Sequence, residues 1–332
     1  MEKLNGKIIY IMCPATVKTG GPELLHQLAH LLNKKGYCAK LVYIHKKRGV
    51  PYVAPEFEKY QVPYITYFEI KDDKENLLII PEIYISESLY FRHIQKVIWW
   101  LSVDAFKAYA SLKVAYQTLP KKQFLVRIPK WVVNPTKIAQ KITYHLCQSQ
   151  YAIDFVKGLG VEEDRIVYLS DYLNDTYLND REVSFESRND VVLYNPCKGA
   201  AYTQKLREHA PELAWKPIRN MTTVEVRECM LSSKVYIDFG AHPGKDRIPR
   251  EAAISGCCVI TGLNGSAAYE QDVPIDASYK FEAIDANIPA IIACIRTCLK
   301  EYHTEIQKFT TYCEMIKGEK AYFEKCTEEI FG

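Results

Sequence analysis

Residues 237–262, IDFGAHPGKDRIPREAAISGCCVITG, constrain the fold more than any other stretch. VYIDFG reads as a buried strand, and the loop after it carries His242, Pro243, Gly244, Lys245, Asp246 and Arg247. PREAAISG reads as a short helix and CCVITG as a second apolar strand. Strand, polar loop, helix, strand is the unit of an open parallel α/β sheet. Such sheets bind ligands beyond the carboxyl ends of their strands, where loops meet helix N-termini. Lys245, Arg247 and Arg250 gather at that position, with Glu251 in the first helical turn. Pro249 suits the start of a helix, because the N–H it lacks would be unpaired there anyway.

The rest of the chain repeats this unit. Lys7–Pro14 is a near-continuous apolar strand, the pattern of a parallel strand covered on both faces. Gly20 and Gly21 follow it and precede an amphipathic helix carrying Leu24, Leu25, Leu28, Leu31 and Leu32. Glycines there let a ligand approach the backbone closely. The spacing is not GxGxxG, which argues against a dinucleotide site. Residues 38–45, 76–85 and 96–104 read as further strands, the last leading to Asp104, and 52–67 as irregular and tyrosine-rich. A strand, small polar turn and helix follow over 141–161, and another strand at 164–174. Residues 175–190 are polar and charge-rich, a domain boundary. DVVLYNPCKGAAYTQKL then restarts the α/β pattern, with Lys198 and Gly199 at the strand-to-helix turn. Residues 284–332 read as helical.

Composition narrows the function. The 332 residues are 48% hydrophobic and 25% charged, enough for two ordinary globular domains. No apolar run reaches the ~18 residues of a membrane span. No secretory leader pattern opens the sequence, and the eleven scattered cysteines hold no CxxC pair for zinc. The expectation is a cytoplasmic protein with reduced thiols. Asp72-Asp73 reads as a charged turn, not a metal-binding DxD. Net charge is +3, unevenly spread. Residues 1–172 hold 24 Lys and Arg against 16 Asp and Glu, while 173–332 hold 19 against 24. A basic front half, with clusters at His45–Arg48 and Lys121–Trp131, predicts an anionic partner such as a membrane surface. No nucleic-acid-binding motif is present.

The 237–262 segment resembles the donor-binding signature of GT-B glycosyltransferases, in particular the family-4-like group (glycosyl transferases group 1). Those enzymes carry a Glu, two small residues, a Gly five places after the Glu, and a Val-Ile strand. Here these are Glu251, Ala252, Ala253, Gly256, Val259 and Ile260. The group usually has another Glu eight residues earlier, where this chain has Pro243, so half of the paired-Glu motif is missing.

The resemblance implies an α/β GT-B fold of two Rossmann-like domains facing across a cleft. Residues 1–172 would form the acceptor-side domain, 173–189 a linker and 190–310 the nucleotide-sugar-binding domain. Residues 311–332 would be a helix returning to the first domain. It implies a sugar transferred from a nucleotide-sugar donor to a cell-surface glycan or a lipid-linked acceptor on the inner face of the plasma membrane. No cofactor and no metal are expected. Donor contacts would come from Gly20, Gly21, Lys198, Gly199, Lys245, Arg247, Arg250, Glu251, Gly265 and Ser266. Lys198 would meet the diphosphate and Glu251 the ribose. His242 and Asp246, which flank the place of the missing Glu, would hold the sugar. An inverting reaction needs a base for the acceptor hydroxyl, and Asp104 is the candidate; a retaining one does not. Three alternatives stay open: a sugar-nucleotide epimerase of the same fold, an NAD(P) oxidoreductase, and a non-catalytic sugar-nucleotide-binding protein.

Overall fold

The computed structural model describes residues 3–17, 19–44, 49, 51–111, 116, 134–178 and 184–332. The basic runs His45–Arg48 and Lys121–Trp131 lie outside them. The chain divides into two compact units, Met1–Asp171 with Ala321–Gly332, and Tyr172–Lys320.

The first unit is built on a seven-stranded parallel sheet. Its strands are β1 (Ile9–Pro14), β2 (Ala39–Ile44), β3 (Tyr64–Thr66), β4 (Leu77–Pro81), β5 (Gln95–Trp100), β6 (Tyr144–Cys147) and β7 (Ile166–Tyr168). Their order is β3-β2-β1-β4-β5-β6-β7. Helices α1 (Gly20–Lys34), α2 (Val103–Ala110), α3 (Pro135–Lys141) and α4 (Gln150–Gly158) connect them. The leucines expected on one face of α1 are all buried. Trp99 and Trp100 are fully buried, and each indole N–H has an acceptor, Leu169 O at 3.1 Å and His145 Nδ1 at 3.0 Å. A His145 that accepts at Nδ1 is neutral. Burial first, then Arg165, hold its pKa down to about 4.

Three expectations shift. The strand expected at 76–85 stops at Pro81, whose ring offers no ladder donor, and the chain turns into a 3₁₀ segment over Glu82–Tyr90. The irregular stretch holds the three-residue edge strand β3. Asp104 is not at a strand end. Strand β5 ends at Trp100, Ser102 caps α2 by accepting from the Ala105 N–H at 3.1 Å, and Asp104 falls in the first turn.

The second unit has a four-stranded parallel sheet of β8 (Asn189–Tyr194), β9 (Ala214–Pro217), β10 (Ser233–Asp238) and β11 (Cys258–Thr261), in the order β11-β10-β8-β9. Helices α5 (Asp175–Leu178), α6 (Ala200–His209), α7 (Thr223–Ser232), α8 (Arg247–Ile254), α9 (Ile288–Lys300), α10 (Tyr302–Glu305) and α11 (Thr310–Phe331) complete it, with the last turns of α11 belonging to the first unit. Thr222 and Glu225 close a capping box on α7. Among the described residues no helix is long and apolar enough to cross a membrane.

Candidate functional site

The strand order of the second unit contains one reversal. From β8 the chain moves to β9 on one side, then crosses to β10 on the other side of β8. The carboxyl ends of β8 and β10 therefore diverge into loops that leave in opposite directions, and such a switch point is where open α/β sheets bind ligands.

Three loops meet there. After β8, Asn195 Oδ1 accepts the Cys197 N–H at 2.9 Å and turns the chain towards Lys198 and Gly199. Gly199 opens α6 at φ +61°, and a Cβ on it would lie 2.6 Å from the Phe239 carbonyl carbon. No side chain caps α6, so its first N–H groups stay available to an anion. After β10, Gly240 lies against Lys198; a Cβ there would be 2.5 Å from that of Lys198. The third loop follows β11. Ser266 donates its hydroxyl to Gly244 O at 2.6 Å and its N–H to His242 O at 2.9 Å. Gly265, at φ +59°, leaves no space for a side chain beside His242 O. Gly265 and Ser266 thus brace the loop that carries His242.

His242 has no exposed surface and stands between two carboxylates. Its Nε2 is 3.6 Å from Asp238 Oδ1 and its Nδ1 is 3.3 Å from Asp246 Oδ2. Asp246 Oδ2 also pairs with Lys198 Nζ at 2.6 Å. Asp238 accepts the Tyr236 hydroxyl and the Gly240 N–H, each at 2.9 Å. Burial works against the imidazolium, but the two carboxylates outweigh it, and the His242 pKa is raised. Burial likewise opposes the Asp238 carboxylate, yet His242 and the Gly240 N–H bring its pKa below the usual value. Burial wins at Asp246, whose pKa is raised despite Lys198 and His242.

A raised histidine pKa has a stability consequence with a definite sign. The native state holds the His242 proton more tightly than the unfolded chain does. Its contribution is complete below the unfolded value of about 6.5 and is lost as pH rises through the native one. The buried His26 and His145 have lowered pKa values, so their effect is complete by about pH 6.5 and does not enter that window. The melting temperature is therefore expected to fall as pH rises above about 6.5, and less in His242→Gln. Equal slopes for the two proteins would remove the charge from His242.

Lys245 and Arg250 are committed elsewhere. Both pair with Glu319 of α11, Lys245 Nζ at 2.9 Å and Arg250 Nη1 at 2.7 Å, and all three are buried. Arg250 Nη2 also donates to Lys245 O at 2.9 Å. Glu251 is half-buried and faces the hydroxyl of Tyr177 on α5, whose ionisation it pushes up after the larger effect of burial. Arg247 is half-buried at the first position of α8.

In the first unit, Gly20 and Gly21 begin α1 and a Cβ on Gly21 would make only ordinary contact with Leu101. Asp104 accepts the Tyr151 hydroxyl at 2.9 Å. The carboxylate that does sit at the end of a strand is Glu82, next after β4. It is buried, accepts the Leu101 N–H at 2.9 Å, and burial raises its pKa to about 7.

Asp238, His242 and Asp246 bring one donor atom each within 4.8 Å of one another, a set a metal ion could use. The geometry fits poorly. The two ring nitrogens face different carboxylates, so one ion cannot take the ring in its present direction with both. Asp246 already holds the Lys198 ammonium.

No protein-family model matches the sequence, and neither does any curated protein. Solved structures do match. TarM superposes with a TM-score of 0.68 at 10% identity, over 99% of this chain and 99% of TarM. HepE from Anabaena, solved with UDP-glucose, gives 0.64 at 10%, over 97% and 98%. WaaB, a lipopolysaccharide outer core galactosyltransferase, gives 0.61 at 11%, over 97% and 99%. The fold is GT-B. Within this GT-B chain, the switch point of the second sheet brings together Lys198, Gly199, His242, Asp246, Gly265 and Ser266. Asp104, Gly20 and Gly21 belong to the other unit. Sequence reading did not single out Asp238, although its place as the last residue of the VYID strand was a signal for it.

Proposed function

We propose that the protein is a glycosyltransferase whose second unit binds a nucleotide diphosphate-sugar at the switch point of its sheet. The observation that carries this reading is the Lys198–Asp246–His242–Asp238 chain, set under an uncapped helix N-terminus. The Lys198 side chain keeps 33% of its surface exposed, so a diphosphate can reach it. The departing diphosphate gains negative charge, and an ammonium with a helix N-terminus stabilises that change. His242, whose pKa is raised by the two carboxylates against the effect of burial, stands next to Asp246. We read the chemistry as metal-free, a reading supported by Lys198 Nζ and the His242 ring both lying against the Asp246 carboxylate. The family-4-like assignment is part of the proposal and rests on Glu251 to Ile260.

Two structural neighbours point to the donor. HepE was solved with UDP-glucose, and a TarM variant from S. aureus with UDP, fondaparinux and α-GlcNAc-glycerol. A UDP-sugar donor and a glycan or lipid-linked acceptor are the corresponding reading here. Asp104 stays the proposed base for an inverting reaction, with the Tyr151 hydroxyl orienting it.

The test is a thermal-shift and turnover series with UDP, UDP-glucose, UDP-galactose and UDP-N-acetylglucosamine, with and without EDTA. UDP should raise the melting temperature, and one sugar nucleotide should be consumed at a rate EDTA does not change. Glu251→Ala should weaken nucleotide binding by about 1–3 kcal/mol. Stabilisation without turnover of any donor would favour a binding protein; turnover to an isomerised donor without transfer would favour an epimerase.

A further inference from the structure

Asp246 stands at the N-cap of α8. An aspartate in that place ordinarily turns its carboxylate onto the free N–H groups of the first helical turn. Asp246 makes no such bond. Its carboxylate goes instead to Lys198 Nζ at 2.6 Å and lies 3.3 Å from His242 Nδ1. Giving up a cap weakens a helix end, so the turn has to be held by other groups.

Those groups grip the backbone. Three successive carbonyls, of Gly244, Lys245 and Asp246, each accept from a side chain. Ser266 donates its hydroxyl to the first at 2.6 Å, Arg250 Nη2 donates to the second at 2.9 Å, and Arg250 Nε to the third at 3.3 Å. The remaining guanidinium nitrogen, Nη1, donates to Glu319 Oε2 at 2.7 Å. Arg250 has no exposed surface. A guanidinium is a rigid planar fork, so once Glu319 fixes one nitrogen the directions of the other two are set. A lysine ammonium is a compact point charge and cannot span these three acceptors.

We propose that Arg250, oriented by Glu319, is a positioning residue for Lys198. It fixes the backbone of Asp246 so that the carboxylate faces the Lys198 ammonium and not the N-terminus of its own helix. A lysine side chain has many rotamers, and a fixed carboxylate selects one of them. Released from the clamp, Asp246 turns back to cap α8 and the lysine loses its partner. The catalytic consequence rests on the glycosyltransferase reading above, whereas the placement of Lys198 does not. If the buried trio only stabilised the second unit, loosening it would affect every paired lysine there alike.

Competitive acetylation of the lysines of the full chain, read by peptide mass spectrometry without ligand, tests this. Arg250→Lys keeps the charge and loses the fork. It should raise the labelling rate of Lys198 about fivefold. Lys205 and Lys234, which pair with Asp285 and Asp190 in the same unit, should keep their parent rates. If Arg250→Lys does not fold, Glu319→Gln takes its place, with a change in the same direction. In Asp246→Asn the rate at Lys198 should already be high, and adding Arg250→Lys should change it no further. An unchanged rate at Lys198, an equal rise at all three lysines, or a full further rise on top of Asp246→Asn overturns the proposal. With a productive sugar nucleotide, Arg250→Lys should lower kcat about tenfold and leave uridine affinity unchanged; an equal loss in both also overturns it. If the parent protein turns over no donor, the glycosyltransferase reading fails while the labelling result stands, so the two failures are separable.

Discussion

Lys198→Ala is expected to slow sugar transfer by about 10²–10³-fold while changing uridine affinity little. In the proposed reaction Lys198 would face a diphosphate whose charge grows as the sugar leaves. Interactions that strengthen only in the transition state show up in kcat, not in ground-state binding. The side chain is held for that moment by Asp246, 2.6 Å away, and its backbone is fixed by the Gly199 and Gly240 contacts. Single-turnover rates with the productive UDP-sugar, set beside uridine and UDP dissociation constants, separate the two effects. If kcat falls no further than UDP affinity does, Lys198 only helps to hold the donor.

Glu319→Ala should cost about 3–5 kcal/mol of stability in the second unit. The carboxylate is the shared partner of Lys245 and Arg250, and none of the three is more than 6% exposed. Removing it takes away the buried carboxylate that the two cations share. Arg250 keeps the carbonyls of Lys245 and Asp246, at 2.9 and 3.3 Å, and a neutral carbonyl is a weaker partner than a carboxylate. Urea denaturation gives the number. Adding Lys245→Met to the Glu319→Ala protein should return part of the loss, because one stranded charge is then gone. A loss below about 1 kcal/mol would mean that water reaches the trio freely and that it behaves like a surface pair.

These residues mark where a sequence can and cannot be read. The three loops of the second unit were legible because each follows an apolar strand and precedes a helix, a local pattern. That pattern found Lys198, Gly199, His242, Asp246, Gly265 and Ser266. It could not find Glu319, which lies 69 residues from Arg250 on a helix with no unusual signal of its own. Lys245 and Arg250 therefore read as cations facing a ligand, when a distant carboxylate claims them. Asp104 shows a different limit. Ser102 and Asp104 both have cap chemistry, and only where strand β5 stops decides between them. Glu82 follows a strand directly, but residues 76–85 read as one longer strand that runs past it. The three residues of β3 are too few for any periodicity to show.

The chain order of the Glu319 trio also bears on how the protein is made. A ribosome releases residues 1–171 first, and their sheet can form as they emerge. Leu4, however, donates its N–H to Ile330 O at 2.7 Å, and Arg250 waits for Glu319. Between Asp171 and Ala321 the first unit lacks its closing segment for about 8–30 s at ordinary elongation rates. During that interval the nascent sheet exposes the surface that residues 321–332 will cover, and Lys245 and Arg250 stay hydrated. Neither unit, then, is finished in the order in which it is begun. A nascent-chain chaperone would find its longest opportunity on the half that was translated first.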